Sequence, residues 1–225
     1  MQKLSILFLL FIISLQFACV QKQAKQHHIV VLGSSTAEGA GPKSKDSAWV
    51  NLFRKYVQEQ NSENEVTNLA VGGYTTYHIL PDTATPVAGR AAVDKEHNIT
   101  KALSLKPDII IINMPSNDII AGVSIEEYRH NLALLNDIAK AHDIKCFITT
   151  TQSRNSDTAK QNALIRMKDV IKADYPLTYI DFWSGMSNDD GTIKEAYNSG
   201  DGIHLNGQAH QIMLERVEAQ LKAAL

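Results

Sequence analysis

Hydrophobic residues along the chain occur in short continuous runs that alternate with segments of helical spacing. The apolar runs predict five strands, at 29–32, 65–69, 108–113, 145–150 and 177–181. Apolar residues three and four positions apart predict helices over about 48–60, 98–105, 124–142, 157–175 and 206–225. Continuous apolar strands that alternate with helices are typical of a parallel sheet covered on both faces. The pattern therefore predicts one α/β domain over residues 28–225.

The first eighteen residues differ from the rest of the chain. Lys3 is their only charged residue, and their apolar middle is shorter than the roughly 20 residues that span a bilayer. A basic start, a short apolar middle and a small residue before Cys19 resemble a bacterial lipoprotein signal. We therefore expect a signal peptide at 1–18, a lipidated Cys19 and a polar tether at 19–27. Simple secretion and a buried N-terminal helix are the alternatives.

Composition narrows the class of partner. The chain has 225 residues, of which 44% are hydrophobic, and a formal charge of -2 from 22 basic and 24 acidic residues. Without a basic excess it lacks the charge that neutralises a nucleic-acid backbone, so we expect no nucleic-acid partner. Two cysteines are too few for a disulfide scaffold, and Cys146 lies in an apolar run typical of a buried core thiol.

Small and polar residues follow four of the predicted strands, at the edge where ligands bind in open parallel sheets. These segments are Gly33-Ser34-Ser35, Gly72-Gly73-Tyr74, Pro115-Ser116-Asn117-Asp118 and Asp201-Gly202-Ile203-His204. A serine hydroxyl such as that of Ser35 becomes nucleophilic when a base takes its proton, and His204 can be that base. Asp201 can orient the His204 imidazole. Gly73 and Asn117 can donate hydrogen bonds to a developing oxyanion.

Taken in order, the four segments resemble the sequence blocks of the SGNH hydrolase (GDSL esterase/lipase) superfamily, over about residues 28–225. The resemblance implies a catalytic triad of Ser35, Asp201 and His204. It implies an oxyanion hole formed by the backbone N–H groups of Ser35 and Gly73 and the side chain of Asn117. It also implies a three-layer α/β/α sandwich around a flavodoxin-like, five-stranded parallel sheet, and chemistry that needs neither cofactor nor metal.

Two positions depart from the family pattern. Ser34 stands where the family has aspartate, and Pro115 stands where it has glycine. Serine can accept a hydrogen bond in a tight turn, as aspartate would, though more weakly. Proline fixes φ and removes one backbone donor. We expect the rigidity of the nucleophile loop and the local shape of the pocket to change, while the nucleophile, the base and the amide are retained.

Other polar residues carry weaker signals. The glycines of 33–41 lack the Gly-Lys-Ser/Thr sequence of a phosphate loop. His210 is expected to pack or to cap a helix, and Asp118 to hold the loop beside Asn117. Six further histidines lack the spacing of metal ligands and are expected on the surface: His27, His28, His78, His97, His130 and His142. Three residues either line the pocket or pack in the ordinary way: Tyr74, His78 and Trp183.

The predicted function is that of a serine esterase that acts through an acyl-enzyme. A surface anchor and a domain without an obvious apolar lid favour short acyl groups, with acetyl esters of carbohydrate as one such substrate. The alternatives are an acylhydrolase of the lysophospholipase or thioesterase type, and a non-catalytic carbohydrate-binding protein of the cell envelope. The expected partner is a small-molecule or glycan ester. Membrane contact is expected only through the anchor at Cys19, and the oligomeric state is left open.

Overall fold

A five-stranded parallel sheet forms the centre of the protein. The computed structural model describes residues 25–225, so the predicted signal peptide and Cys19 lie outside the described residues. The strands are β1 (His28–Gly33), β2 (Glu65–Asn68), β3 (Ile109–Asn113), β4 (Lys145–Thr149) and β5 (Tyr179–Ile180). Their order in the sheet is β2-β1-β3-β4-β5. The chain leaves β1 first to one side and then to the other, so the strand order reverses between β1 and β3, where ligand sites form in such sheets.

Helices cover both faces of this sheet. They are α1 (Ser35–Glu38), α2 (Trp49–Gln60), α3 (Ile99–Ser104), α4 (Asn117–Ile120), α5 (Ile125–Ala141), α6 (Thr158–Asp174) and α7 (Gly207–Leu221). Buried side chains of α2 and α7 pack against one face of the sheet. Buried side chains of α3, α5 and α6 pack against the other face. The predicted three-layer α/β/α sandwich is confirmed.

The apolar runs form strands because both of their faces are buried. On β1, Val30 and Leu32 point to the layer of α3, α5 and α6, while Ile29 and Val31 point to the layer of α2 and α7. The isoleucines of β3 alternate between the two layers in the same way, and all of these side chains are fully buried. Burial of one such side chain contributes about 1.5–3 kcal/mol to folding.

The start of α5 agrees with the sequence prediction, whereas one strand and one helix end are shorter than predicted. The capping box at Ser124 holds the start of α5, because the Ser124 hydroxyl accepts from the Glu127 N–H and the Glu127 carboxylate accepts from the Ser124 N–H. The last strand is shorter than predicted, with two residues in place of five, and Leu177 before it is 84% exposed. The C-terminal helix ends at Leu221 and not at the last residue.

The first described residues are hydrogen-bonded to the rest of the domain. His27, placed in the predicted tether, is buried, and its N–H donates to Asn64 Oδ1 at 2.9 Å. Its ring Nε2 lies 3.1 Å from the carbonyl oxygen of Leu225. The domain therefore includes His27, one residue earlier than the predicted boundary. Within residues 25–225 no helix combines the length and the apolar character needed to cross a membrane.

Candidate active site

The nucleophile candidate and the amide candidate each begin a short helix directly after a strand. Ser35 is the first residue of α1, two positions after β1 ends at Gly33. Asn117 is the first residue of α4, which follows β3. The Ser34 N–H donates to Asn113 O at 3.1 Å and ties the two strand ends together. A Cβ atom at position 33 would lie 3.0 Å from that same Asn113 oxygen, so the turn into α1 needs glycine.

Ser35, His204 and Asp201 lie in one hydrogen-bonded chain. Nε2 of His204 lies 2.9 Å from Ser35 Oγ. On the other side of the ring, His204 Nδ1 lies 2.6 Å from Asp201 Oδ2. The His204 side chain is 21% exposed and the Asp201 side chain 45% exposed. The structure thus brings together the three residues that the sequence singled out for nucleophile, base and orienting acid.

Hydrogen bonds hold the Asp201 carboxylate in its charged form. Partial burial alone would raise the pKa of Asp201. The backbone N–H groups of Ile203 and His204 each donate to Oδ1 at 2.8 Å. The His204 ring and the Ser199 hydroxyl donate as well, and together these bonds hold the pKa of Asp201 well below its usual range. A charged Asp201 can stabilise a protonated His204.

Three candidate donors to an oxyanion lie on the segments around Ser35, namely two backbone N–H groups and the side-chain amide of Asn117. The backbone N–H groups of Ser35 and Gly73 have no acceptor within residues 25–225. Gly73 has a φ of 84°, which favours glycine. A Cβ atom on the preceding Gly72 would lie 3.8 Å from the Cβ of Ser35, so this loop passes directly beside the nucleophile candidate.

The Asn117 amide is held from two sides. Its Nδ2 donates to the carbonyl oxygen of Tyr74 at 3.0 Å, which leaves its second N–H for another acceptor. Its Oδ1 accepts from Arg154 Nη1 at 3.4 Å. The bond to the Tyr74 carbonyl oxygen is enough to fix which end of the amide carries the donors. Asn117 thus keeps one side-chain N–H group without an acceptor within residues 25–225, at the same edge of the sheet as Ser35.

The segment after β4 connects the parts of this site, and sequence reasoning missed it. Thr36 Oγ1 donates to Gln152 Oε1 at 2.8 Å, and Gln152 Nε2 donates to the carbonyl oxygen of Ile203 at 3.3 Å. The Asn155 N–H donates to Gly202 O at 2.8 Å. Gln152 thereby links α1 to the loop that carries His204. Its position directly after a predicted strand was the one signal that could have identified it.

Asp118 holds the loop beside Asn117, as the sequence predicts. It is buried, and both carboxylate oxygens accept from the Thr76 N–H, at 3.0 and 3.1 Å. The Thr76 hydroxyl donates to Asp118 Oδ1 at 2.6 Å. Burial raises the pKa of Asp118 to about 6, although the bonds from Thr76 oppose the shift. The acid thus joins the segment after β2 to the segment after β3.

A cluster of aromatic and charged side chains lies behind Tyr74. The Tyr74 ring stacks on His78 with 4.2 Å between ring centroids, and its hydroxyl donates to Asp94. Burial, with the bond to Asp94, raises the pKa of Tyr74 to about 12. Burial lowers the pKa of His78. His97 Nδ1 lies 2.9 Å from the same Asp94 carboxylate. Tyr74 therefore supports the backbone carbonyl that positions Asn117.

Several weaker predictions are resolved by the packing. His27 is buried, so the prediction that it lies on the surface is wrong. The other five histidines of that prediction reach the surface, where His130 and His142 are exposed and His28, His78 and His97 are partly exposed. His210 is buried as predicted, and its Nδ1 accepts from the Trp49 N–H at 3.0 Å at the start of α2. Trp183 belongs to the apolar core.

The two positions that depart from the family pattern behave differently. The Ser34 hydroxyl is buried and has no hydrogen-bond partner within residues 25–225, so the expectation that it accepts a bond in the turn is wrong. Pro115 keeps a role through its carbonyl oxygen, which accepts from the Gln152 N–H at 3.3 Å. The described residues contain no group of three histidine, cysteine or acidic side chains placed to hold a metal ion.

One apolar groove lies away from these residues. It has a volume of about 670 Å³ and is lined by Cys146, Phe147, Tyr175 and Leu177 among others. These residues lie in the first three positions of β4 or before the start of β5, whereas Ser35 and Asn117 follow strand ends. The groove is therefore at the opposite edge of the sheet and does not open onto the candidate triad.

Comparison with known proteins identifies the family. Residues 31–212 match the GDSL-like Lipase/Acylhydrolase family, so the chain belongs to it and is an ester-hydrolysing serine hydrolase. It is similar to esterase TesA of Pseudomonas aeruginosa, with 24% identity over 213 residues that cover 94% of this chain and 96% of the relative.

Solved structures of the same fold include two instructive neighbours. The lipase/acylhydrolase from Enterococcus faecalis has a TM-score of 0.65 and 18% identity, over 89% of this chain and 97% of that chain. A two-domain esterase active on acetylated mannans has a TM-score of 0.58 and 15% identity, over 88% of this chain and 49% of that chain. At these identities the likeness concerns the fold.

Proposed function

We propose that this enzyme hydrolyses carboxylic esters with Ser35 as nucleophile, His204 as general base and Asp201 as the acid that orients the base. The observation that carries the proposal is the hydrogen-bonded chain from Ser35 Oγ through the His204 ring to Asp201. A nucleophile within hydrogen-bond distance of a base, which is itself oriented by a third group, is the arrangement that acyl transfer needs.

Acylation begins when Ser35 Oγ attacks the ester carbonyl carbon and its proton passes to His204 Nε2. Asp201 accepts the Nδ1–H of the ring, which leaves Nε2 free to take that proton. The carbonyl oxygen becomes an oxyanion and accepts from the N–H groups of Ser35 and Gly73 and from Asn117 Nδ2. The bond to the alcohol then breaks, and His204 returns the proton to the departing alcohol.

Deacylation repeats the same steps with water. His204 takes a proton from the water molecule as its oxygen attacks the acyl-enzyme. The same three donors stabilise the second oxyanion, the bond to Ser35 Oγ breaks, and Ser35 recovers its proton from His204. Apart from the ester and the water molecule, every group used in these steps belongs to the chain.

The substrate class that we favour is short acyl esters, with acetyl groups on carbohydrate as the first to be tested. The two-domain neighbour active on acetylated mannans supports this choice, because it shares the fold of this chain. The exposure of Asp201 also supports this choice. A half-exposed Asp201 places the triad at the protein surface, where an acetyl group on a polymer can reach the nucleophile.

The test is the hydrolysis of 4-nitrophenyl acetate and acetylated sugars, beside lysophospholipids and acyl thioesters, by the wild type and Ser35→Ala. Ser34→Ala is the matched control, since it removes a neighbouring hydroxyl that makes no hydrogen bond within the described residues. We expect turnover in the wild type and in Ser34→Ala and none in Ser35→Ala. Equal rates in all three would overturn the role of Ser35, and glycan binding without turnover would favour the non-catalytic alternative.

We also propose that the enzyme is exported and anchored to the cell envelope through a lipid on Cys19. The support is the sequence of residues 1–19. Expression with a radiolabelled fatty acid tests it: label on the wild type and none on Cys19→Ser is expected. An unlabelled wild type would contradict the anchor.

A further inference from the structure

Arg154 stands out among the side chains near the candidate triad. It is half-buried, and its Nη1 lies 3.4 Å from the Oδ1 of Asn117, the amide assigned to the oxyanion. No carboxylate within residues 25–225 lies within ion-pair distance of it. Arg90 and Arg129, by contrast, are both paired with a carboxylate at 2.8 Å. Arg154 thus places a positive charge beside the reacting centre with no carboxylate in direct contact within residues 25–225, and only the longer-range attraction of Asp201 opposes it.

Most of the hydrogen-bonding capacity of Arg154 is unused. A guanidinium carries five N–H donors in a fixed plane, and within the described residues only the long contact to Asn117 takes one of them. That contact is too long to be a strong bond, and the Tyr74 carbonyl already holds the same amide at 3.0 Å. Orientation of Asn117 therefore does not account for the placement of the charge. Burial also lowers the pKa of Arg154, although the charge of Asp201 opposes the shift, so the group is partly removed from water.

The backbone that carries Arg154 is fixed on both sides. Gln152, two positions before it, is bonded to Thr36 and Ile203, and Asn155 after it is bonded to Gly202. The Asn155 side chain also accepts from the Ile193 N–H at 3.0 Å. A charged side chain on a fixed loop loses little freedom when it binds a ligand, which favours specific recognition.

We propose that Arg154 binds an oxyanionic group, a carboxylate or a phosphate, carried by the ester substrate. This inference rests on the proposed function and makes the substrate more specific. The planar fork of a guanidinium matches the oxygens of either anion and can form two parallel hydrogen bonds with it. Because Arg154 adjoins Asn117, the anion lies close to the scissile carbonyl, on either its acyl or its alcohol side.

Three pairs of esters separate these cases, and the members of each pair differ by one anionic group. Mono-4-nitrophenyl adipate against 4-nitrophenyl hexanoate tests a carboxylate on the acyl side. 4-Acetoxybenzoate against 4-acetoxybenzamide tests a carboxylate on the alcohol side. 1-Acetylglycerol 3-phosphate against 1-acetylglycerol tests a phosphate on the alcohol side. The quantity compared is the ratio of kcat/KM between the anionic and the neutral member of each pair.

We expect the wild type to prefer the anionic member of at least one pair by about tenfold or more. Arg154→Gln should bring that ratio to within about twofold of one, and Arg154→Lys should retain part of the preference. Arg166→Gln, which removes the same charge from the exposed face of α6, should keep the wild-type ratio. A role confined to holding Asn117 would lower both members of a pair equally and leave the ratio unchanged.

The proposal is overturned if no pair shows a preference in the wild type, or if Arg154→Gln leaves the preference intact. Failure of the proposed function is a different result, because it requires Ser35→Ala to hydrolyse the neutral esters as fast as the wild type. Thermal unfolding of each variant confirms that the comparison is made between folded proteins.

Discussion

The hydroxyl of Thr36 donates a 2.8 Å hydrogen bond to Gln152, a residue 116 positions away in sequence. Thr36 follows the nucleophile candidate directly, and the Gln152 amide also donates to Ile203, which precedes His204. One buried side chain therefore connects the helix of the nucleophile to the loop of the base. The 2.9 Å distance from Ser35 Oγ to His204 Nε2 depends on how these two segments are placed.

Loss of this connection is expected to slow the chemical step. Gln152→Met keeps the volume of the side chain but removes both hydrogen bonds, and it leaves the buried Thr36 hydroxyl without an acceptor. We expect kcat to fall about tenfold with little change in KM, and stability to fall by about 1–3 kcal/mol. Thr36→Val in the Gln152→Met background removes the orphaned hydroxyl and should recover part of that stability. An unchanged kcat in Gln152→Met would show that the connection does not position the triad.

The Asn117 amide is expected to act mainly in the transition state. Asn117→Ala removes one donor to the oxyanion, and loss of one such donor lowers kcat by about 10²–10³-fold. KM should change by less than about threefold, because the bond forms only as charge develops. Asn188→Ala, in a turn held by Thr192, is the matched control and should retain wild-type kinetics. A rise in KM with an unchanged kcat would instead assign Asn117 to ground-state binding.

We expect the charged carboxylate of Asp201 to hold His204 in the tautomer that carries its proton on Nδ1. Asp201→Asn preserves the shape of the side chain but presents an amide in place of the carboxylate. The corresponding change in a serine protease lowers kcat by on the order of 10⁴-fold. We expect kcat for 4-nitrophenyl acetate to fall by a similar factor here. Asp189→Asn is the matched control, because it removes the charge of an exposed aspartate, and it should retain the wild-type kcat. Wild-type turnover by Asp201→Asn would exclude the proposed role.

Asp118 is expected to make the free energy of unfolding depend on pH. Its pKa in the folded protein, raised by burial to about 6, exceeds its ordinary value of 3.8. The folded state therefore binds the proton more tightly than the unfolded state, and this contribution to stability is present at low pH and is lost as the pH rises from about 4 through 6. Relative to Asp118→Asn, the wild type should lose about 2 kcal/mol between pH 4 and pH 7. Urea unfolding at both pH values measures the difference, and a difference that is constant with pH would contradict the buried charge.

The sequence predicts the sheet well because burial on both faces leaves a clear pattern. The runs that contain β1 and β3 consist almost entirely of isoleucine, valine and leucine, and both were placed correctly. The edge strand β5 was overestimated because one of its flanking residues, Leu177, is apolar but exposed. Apolar character alone does not distinguish an edge residue from a core residue.

The candidate triad could be found from sequence because its members belong to recognisable segments. Gln152 and Arg154 were missed, because they lie in a polar loop without a motif, and their contacts to Ile203 and Asn117 join distant parts of the chain. The burial of His27 was missed for a similar reason, because its ring lies beside the carbonyl oxygen of Leu225, and these two residues meet only in the folded protein.

The central claim is that Ser35 is the nucleophile that carries the acyl group. The most direct measurement is the intact mass of the protein after reaction with a fluorophosphonate, followed by peptide mapping of the adduct. We predict one adduct per chain in the wild type, located on Ser35, and no adduct in Ser35→Ala. An adduct on another residue, or ester hydrolysis by a wild type that forms no adduct, would contradict the account.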